Sequence, residues 1–255
     1  MLDFMKHIAF KAGELSLAAA REPDSLTVEF KGEKDLVTAV DRKIEVFLTE
    51  EILKKYPGHT IVGEEYGTKT ADEGCRWVID PIDGTVSYVH GLPGYSISLA
   101  YQEQGVTRAG VVYGPLLGQM FSAEHGKGAS MNRNRLQVSS RKKLRESVLA
   151  TGFACLRAGA EDNNLKHFNK IVPRLRDVRR MGSAALDLAY VAAGKLDGFW
   201  ELCLSEYDVA AGVILVKEAG GCVCDFGGKD NFPQQGIIGA NPFLVEKIRS
   251  MLQHQ

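Results

Sequence analysis

The chain has 255 residues, of which 45% are hydrophobic and 25% charged, with a formal net charge of −1. That balance is ordinary for a globular protein and excludes any bulk attraction to nucleic acid or to a membrane surface. No apolar run approaches the roughly 18 residues that a spanning helix needs.

Residues 2–20 carry Leu2, Met5, Ile8, Ala12 and Leu15 on one stripe, which predicts an amphipathic helix. Asp3 and Lys6 fall inside what would be the apolar region of a signal peptide, so a cytoplasmic protein is expected. A second helix is predicted over 41–55, with Ile44, Phe47, Leu48 and Ile52 inward and Pro57-Gly58 as its stop. Short apolar runs at 60–62 and 75–79 read as strands. Residues 96–102 and 106–113 read as a hairpin around Glu103-Gln104-Gly105, and 119–124 as a third antiparallel strand closed by Gly126-Lys127-Gly128. Another strand is predicted over 147–152. Beyond it, helices over 161–172, 184–193 and 208–219 alternate with strands near 197–202, 221–225 and 236–240, and a last helix covers 242–252. Hairpins followed by alternating helices and strands predict layered sheets and helices rather than a simple parallel fold. A soft boundary near 140–150 separates an N-terminal half, 1–145, from a C-terminal half, 146–255, within one compact unit.

Five cysteines stand at 75, 155, 203, 222 and 224. Cys222-x-Cys224 has no second pair to complete a zinc site, so reduced and mostly buried thiols are expected. Two basic runs, 141–145 and 174–180, read as solvated faces or turns.

The chemistry concentrates in Trp77-Val78-Ile79-Asp80-Pro81-Ile82-Asp83-Gly84-Thr85. An apolar run delivers two carboxylates, then a glycine and a threonine. Crowded carboxylates are costly unless a cation neutralises them. The Gly-Thr pair frees the backbone to turn and offers donors to an anion. Further acidic groups fall at element ends: Asp35 with Asp41, Glu64 with Glu65, and Asp208 at a helix start. Each alone reads as a cap. Together they predict a site, because strand ends in layered folds converge on one crevice. All are oxygen donors with no His or Cys at ligand spacing, which favours Mg²⁺, or Mn²⁺ or Ca²⁺, over zinc. His90 reads as a surface residue or as one standing behind the ligands. A calcium-loop reading fails because Ile82 and Gly91 occupy ligand positions. An aspartyl nucleophile of the Asp-x-Asp type fails because these aspartates are three apart, with Pro81 between them. The proline is expected to turn the segment out of the strand, wrapping both carboxylates and the Ile82 carbonyl around an ion.

The nine-residue motif resembles the signature of the inositol monophosphatase family, within the metal-dependent, lithium-sensitive phosphatase superfamily. Asp35-Leu36-Val37-Thr38-Ala39-Val40-Asp41 is similar to its N-terminal motif and Val62-Gly63-Glu64-Glu65 to its metal-binding glutamate. Gly182-Ser183-Ala184-Ala185 is similar to its phosphate- and ring-side helix start. Glu201 followed by Tyr207-Asp208-Val209-Ala210-Ala211-Gly212 is similar to its C-terminal motif. The resemblance implies an αβαβα sandwich, a homodimer, and Mg²⁺-dependent hydrolysis of a small phosphate monoester of a polyol or sugar. Inositol 1-phosphate is the first candidate. Fructose 1,6-bisphosphate, histidinol phosphate, NADP and adenosine 3′,5′-bisphosphate are alternatives.

The resemblance also implies roles. Glu64, Asp80 and the Ile82 carbonyl hold one Mg²⁺; Asp80, Asp83 and Asp208 hold a second; a third leans on Glu64, and Glu65 stands behind the ligands. Asp41, Thr85 and Glu64 form the catalytic set, Asp41 and Thr85 orienting and deprotonating water. Gly84, Thr85, Gly182, Ser183, Ala184, Glu201 and Asp208 contact the substrate. Tyr207 replaces the family's usual Trp, and the 66–76 loop is short. Some bacterial relatives also join transcription complexes, and the two basic runs are the features of this chain that would serve an RNA polymerase or nucleic-acid association.

Overall fold

The computed structural model describes residues 1–22, 28–32, 35–69 and 74–253, with side chains described in 1–22, 38–69 and 74–253. Helix α1 (Leu2–Ala19) is followed by a hairpin of β1 (Val28–Gly32) and β2 (Asp35–Thr38), then α2 (Ala39–Lys55). Next come β3 (Thr60–Gly63), β4 (Gly67–Lys69), β5 (Cys75–Asp83) and the short α3 (Thr85–Val89). β6 (Ser96–Glu103), β7 (Val106–Gly114), β8 (Gln119–Glu124), β9 (Gly128–Met131) and β10 (Asn134–Arg135) complete the first half. The second half holds β11 (Val148–Thr151), α4 (Ala154–Arg157), α5 (Asn164–Ile171), β12 (Asp177–Arg179), α6 (Ala184–Ala192) and β13 (Gly198–Glu201). It ends with α7 (Glu206–Glu218), β14 (Cys222–Cys224), β15 (Ile237–Ala240) and α8 (Val245–Gln253).

Among the described residues one sheet of eight strands runs β10-β9-β8-β7-β6-β5-β3-β4, and one of five runs β12-β11-β13-β15-β14. The larger sheet is antiparallel except where β3 lies parallel to β5. The period-2 alternation of strands sorts its side chains between two cores. Trp77, Ile79, Leu99 and Val111 face α1 and α2, where Met5, Ile8, Ile44 and Leu48 are buried. Val78, Ala100 and Val112 face the opposite way, onto α6 and α7. The smaller sheet repeats the device: Phe199 and Ile237 join that middle core, while Trp200 and Ile238 turn to α5 and α8. The result is a layered αβαβα fold, and α6 and α7, sandwiched between sheets, are apolar on nearly all sides.

Four expectations need correction. Pro81 does not take the chain out of the strand: β5 continues to Asp83, and the extra residue is absorbed as a bulge, with Asp80 opposite Ser98 and Asp83 opposite Ser96. A proline without an N–H is tolerated there because the ladder is already interrupted. The helix expected over 161–172 begins only at Asn164, where the Asn163 side chain accepts the Leu165 N–H. The final helix begins at Val245; Asn241 holds the approach by accepting from the Phe243 and Leu244 amides. The thiols are free, but Cys155 alone is fully buried, and Cys203 is exposed. The β1–β2 hairpin, β4, β9, β10 and α4 carry too little periodicity to be read in advance. The Asp35 side chain and residues 70–73 of the 66–76 loop lie outside the described residues. No described helix is long and apolar enough to cross a membrane.

Candidate metal and phosphate site

Parallel pairing of β3 with β5 sets Gly63 opposite Ile79, so the next residues, Glu64 and Asp80, leave neighbouring strand ends together. The β5 bulge then turns Asp80 and Asp83 to one side, and the Asp80 carboxylate accepts the Ile82 N–H at 3.1 Å. Asp208 arrives from the first turn of α7, where its side chain accepts the Ser205 N–H at 2.5 Å in a capping box. One ligand oxygen from each of Asp80, Asp83 and Asp208 lies within 4.8 Å of the others. Glu64 stands outside that tight triad but lines the same pocket, of 290 Å³, with Ile82, Gly84 and Thr85.

The triad is electrostatically uncomfortable by itself. Burial, then the charges of Glu64, Asp83, Asp208 and Asp41, pushes the Asp80 carboxyl well up from its ordinary range. Burial, then Asp83, does the same to Asp208. Asp83 is raised to about 6 by burial, opposed by hydrogen bonds from Ser183 and the α6 amides. Buried like charges with no compensating cation in bonding distance among the described residues are the condition a divalent ion relieves. The donor set is oxygen throughout, so it fits Mg²⁺.

Asp41 and Thr85 meet over this floor. Asp41 is buried at the third position of α2, where it accepts the Thr38 N–H at 2.9 Å and the Thr38 hydroxyl. Its other oxygen faces the Thr85 hydroxyl at 3.2 Å, which lies equally 3.2 Å from the Ile82 carbonyl. Gly84 makes the turn into α3 possible. Its φ is +96°, and a β-carbon there would stand 2.5 Å from the Gly94 carbonyl oxygen.

The ring-side residues fall differently from one another. Ser183 is fully buried: its hydroxyl donates to Asp83 at 2.6 Å and accepts the Leu186 N–H at 3.1 Å, while the Ala185 N–H also reaches Asp83, at 2.7 Å. Its bonds therefore hold the Asp83 carboxylate in place. Gly182 lines the main pocket, and Ala184 lines a smaller cavity behind it, of 20 Å³, together with Glu201. Glu201 ends β13, accepts the Ala154 N–H at 3.0 Å, and is raised by burial to about 7. Glu65 keeps its side chain outside the pocket lining, and its N–H donates to Glu45 at 2.8 Å. His90 is exposed.

Sequence reasoning missed two buried acids beside the site. Glu45 accepts the amides of Glu65 and Tyr66 and fills the space where a Gly63 β-carbon would be, so it shapes the turn that carries Glu64. It stands one helical turn after Asp41, on the same face, and that spacing was the available signal. Asp187 on α6 is buried, and its Oδ1 has no hydrogen-bond partner among the described residues. Burial, then Glu201 and Asp83, pushes it well up. It follows Ser183 by four residues, which again puts it on the face toward the site.

Comparison with known proteins identifies the family. The model of the inositol monophosphatase family matches residues 1–254. The chain belongs to that family. It is 41% identical to the inositol-1-monophosphatase of Mesorhizobium japonicum, across 97% of this chain and 94% of that protein. It is 43% identical to the Nus factor SuhB of Pseudomonas aeruginosa, across 99% of this chain and 96% of that protein. The crystal structure of extragenic suppressor protein suhB from Bartonella henselae superposes with a TM-score of 0.92 at 37% identity, across 98% of this chain and 97% of that one.

Proposed function

We propose that this family member is a Mg²⁺-dependent phosphomonoesterase acting on a small phosphorylated polyol or sugar, with inositol 1-phosphate as the first substrate to try. The observation that carries the reading is the buried Asp80–Asp83–Asp208 triad lying in one pocket with the Thr85–Asp41 pair. Asp80, Asp83 and Asp208 would hold one Mg²⁺, and Glu64, Asp80 and the Ile82 carbonyl another, with Mn²⁺ an acceptable substitute. Glu64 would also serve a third, weaker ion. Bound Mg²⁺ supplies Lewis-acid stabilisation of phosphate charge and a lowered pKa for water.

The protein's own groups do the rest. The Thr85 hydroxyl accepts from the attacking water and passes its proton toward Asp41, whose buried carboxyl is raised by desolvation and so is a stronger base than an exposed aspartate. The backbone at Gly84 and Thr85 positions the phosphate. Ser183 acts through Asp83, and Gly182 and Ala184 shape the wall beside it. Glu201 accepts from a hydroxyl of the alcohol. Assay of the purified protein against a panel of phosphomonoesters with and without Mg²⁺ tests this; no Mg²⁺-dependent phosphate release from any of them sinks it.

A second reading rests on the Nus factor name that the Pseudomonas relative carries. On that reading the chain also associates with transcription machinery. Pull-down with RNA polymerase tests it, and binding that survives Asp83→Asn separates it from catalysis.

A further inference from the structure

Burying a carboxyl group is costly unless donors meet it. The other buried acids among the described residues each accept at least one hydrogen bond. Asp197, far from the site, accepts from the Ser139 hydroxyl, from Arg141 and from the Val148 N–H. Asp187 is 2% exposed, and its Oδ1 is enclosed with no hydrogen-bond partner among the described residues. A fold that leaves one buried acid open, beside its candidate site, has kept a partner's place for something else.

The topology fixes where Asp187 stands. The Ser183 hydroxyl and the Ala185 N–H both bind Asp83, so the first turn of α6 is pinned to the carboxylate floor. Asp187 follows one turn later on the same face. β13, parallel to β11, ends at Glu201, whose carboxylate lies against the residue after β11: a β-carbon on Gly152 would stand 2.2 Å from both of its oxygens. Asp187 and Glu201 thus line one recess of 20 Å³ behind the main pocket. Asp83, Gly182, Arg157 and Arg180 line both spaces, so the two adjoin. The Thr151 and Ser183 hydroxyls on the recess wall are already engaged, by the Trp200 carbonyl and by Asp83.

A space of that volume takes one water-sized group and is too small for a phosphate. A hydroxyl fits it in size and in chemistry, because it can donate to one carboxyl and accept from another. Burial pushes both carboxyls up, Glu201 to about 7, so a protonated, donating partner is at hand. We propose that Asp187 is a specificity-determining residue, which together with Glu201 takes one hydroxyl of the substrate's alcohol into this recess. The proposal rests on the phosphatase reading above and adds a second reader of the alcohol to Glu201. An ester with a free hydroxyl completes the bonding of Asp187, and an ester without one leaves a buried acid unpaired, which penalises it.

Two pairs of esters that differ only in hydroxyls test it: inositol 1-phosphate with cyclohexyl phosphate, and glycerol 2-phosphate with isopropyl phosphate. Each is measured with Mg²⁺ as a competitor of p-nitrophenyl phosphate hydrolysis, for the wild type, Asp187→Ala and Asp187→Asn. The wild type is expected to bind the hydroxylated member more tightly in at least one pair. Asp187→Ala should shrink that preference about tenfold, as loss of a hydrogen bond to a charged or buried partner does. Asp187→Asn fills the same space and keeps an acceptor, so it should shrink the preference by less, about threefold, and it carries the test if the alanine variant fails to fold. In a Glu201→Gln background Asp187→Ala should still lower the preference; no further fall there would mean that Asp187 acts only through Glu201, and would overturn the proposal. A preference that stays at the wild-type value in the folded variants, or equal weakening of both members of each pair, overturns it while leaving the phosphatase intact. Absence of phosphate release from p-nitrophenyl phosphate and from every hydroxylated ester overturns the phosphatase reading and this proposal with it.

Discussion

Asp83 has two tasks that a single substitution can separate. One oxygen accepts from the Ser183 hydroxyl and the Ala185 N–H, tying β5 to the start of α6. Its charge adds to the crowded triad. Asp83→Asn keeps an acceptor for α6 and removes the charge. The metal-free variant is expected to melt at or above the wild type, while the rise in melting temperature that Mg²⁺ gives the wild type disappears. A variant that still gains stability from Mg²⁺ would refute the ligand assignment. Thr85→Val keeps the shape and deletes the hydroxyl that bridges Asp41 to the pocket. A positioned proton acceptor is worth ~10²–10⁴ in rate, so kcat should fall by at least ~100-fold with a smaller change in KM. Near-normal turnover in that variant would remove Thr85 from the proton path.

At the scale of elements, the site depends on how closely α6 and α7 approach. Gly212 of α7 faces Leu188 of α6, and a β-carbon at Gly212 would stand 2.6 Å from the Leu188 β-carbon. Two effects oppose each other in Gly212→Ala. Helix propensity favours alanine by about 1 kcal/mol, while overpacking a buried contact costs about 1–3 kcal/mol. Both helices are buried between sheets and cannot retreat, so overpacking should win. Thermal unfolding is expected to show a net loss of up to ~2 kcal/mol. Asp208 lies one turn before Gly212 on α7, so Mg²⁺ affinity, read by calorimetry, should weaken too. A stabilised variant with unchanged affinity would mean that the helices are free to separate.

Across the whole molecule, the buried acids make the metal-free protein pH-sensitive. Glu201 and Asp83 have folded values raised to about 7 and about 6, above the ordinary values of 4.5 and 3.8. For such groups the folded state holds protons that the unfolded chain has released. Their contribution is fully present below about pH 4 and is lost as pH rises through 6 to 7. The metal-free protein should therefore melt lower at pH 8 than at pH 5, while Mg²⁺, which needs ionised ligands, should raise the melting temperature more at pH 8. Scanning calorimetry at the two pH values, with EDTA and then with Mg²⁺, checks both signs. A metal-free protein more stable at pH 8 would show that these carboxyls are not held in the protonated form by burial.

Much of this was legible in the residues themselves. Side-chain chemistry and local spacing are properties of the chain: the nine-residue motif specified oxygen ligands, the three-residue separation of Asp80 and Asp83 argued against a nucleophile, and period-2 and helical patterns located the long elements. Pairing between distant segments is not local, and that is where the structure decided. Only the parallel neighbours β3 and β5 bring Glu64 beside Asp80. Only a bulge reconciles Pro81 with a strand that continues. Glu45 and Asp187 resemble surface acids until the fold buries them. Arg157 and Arg180, 23 residues apart in the numbering, share a pocket because β11 and β12 run side by side. The sequence by itself determined which atoms could bind a cation and a phosphate. Tertiary structure decided which of them meet, because burial and strand pairing depend on residues too far along the chain for any local pattern to record.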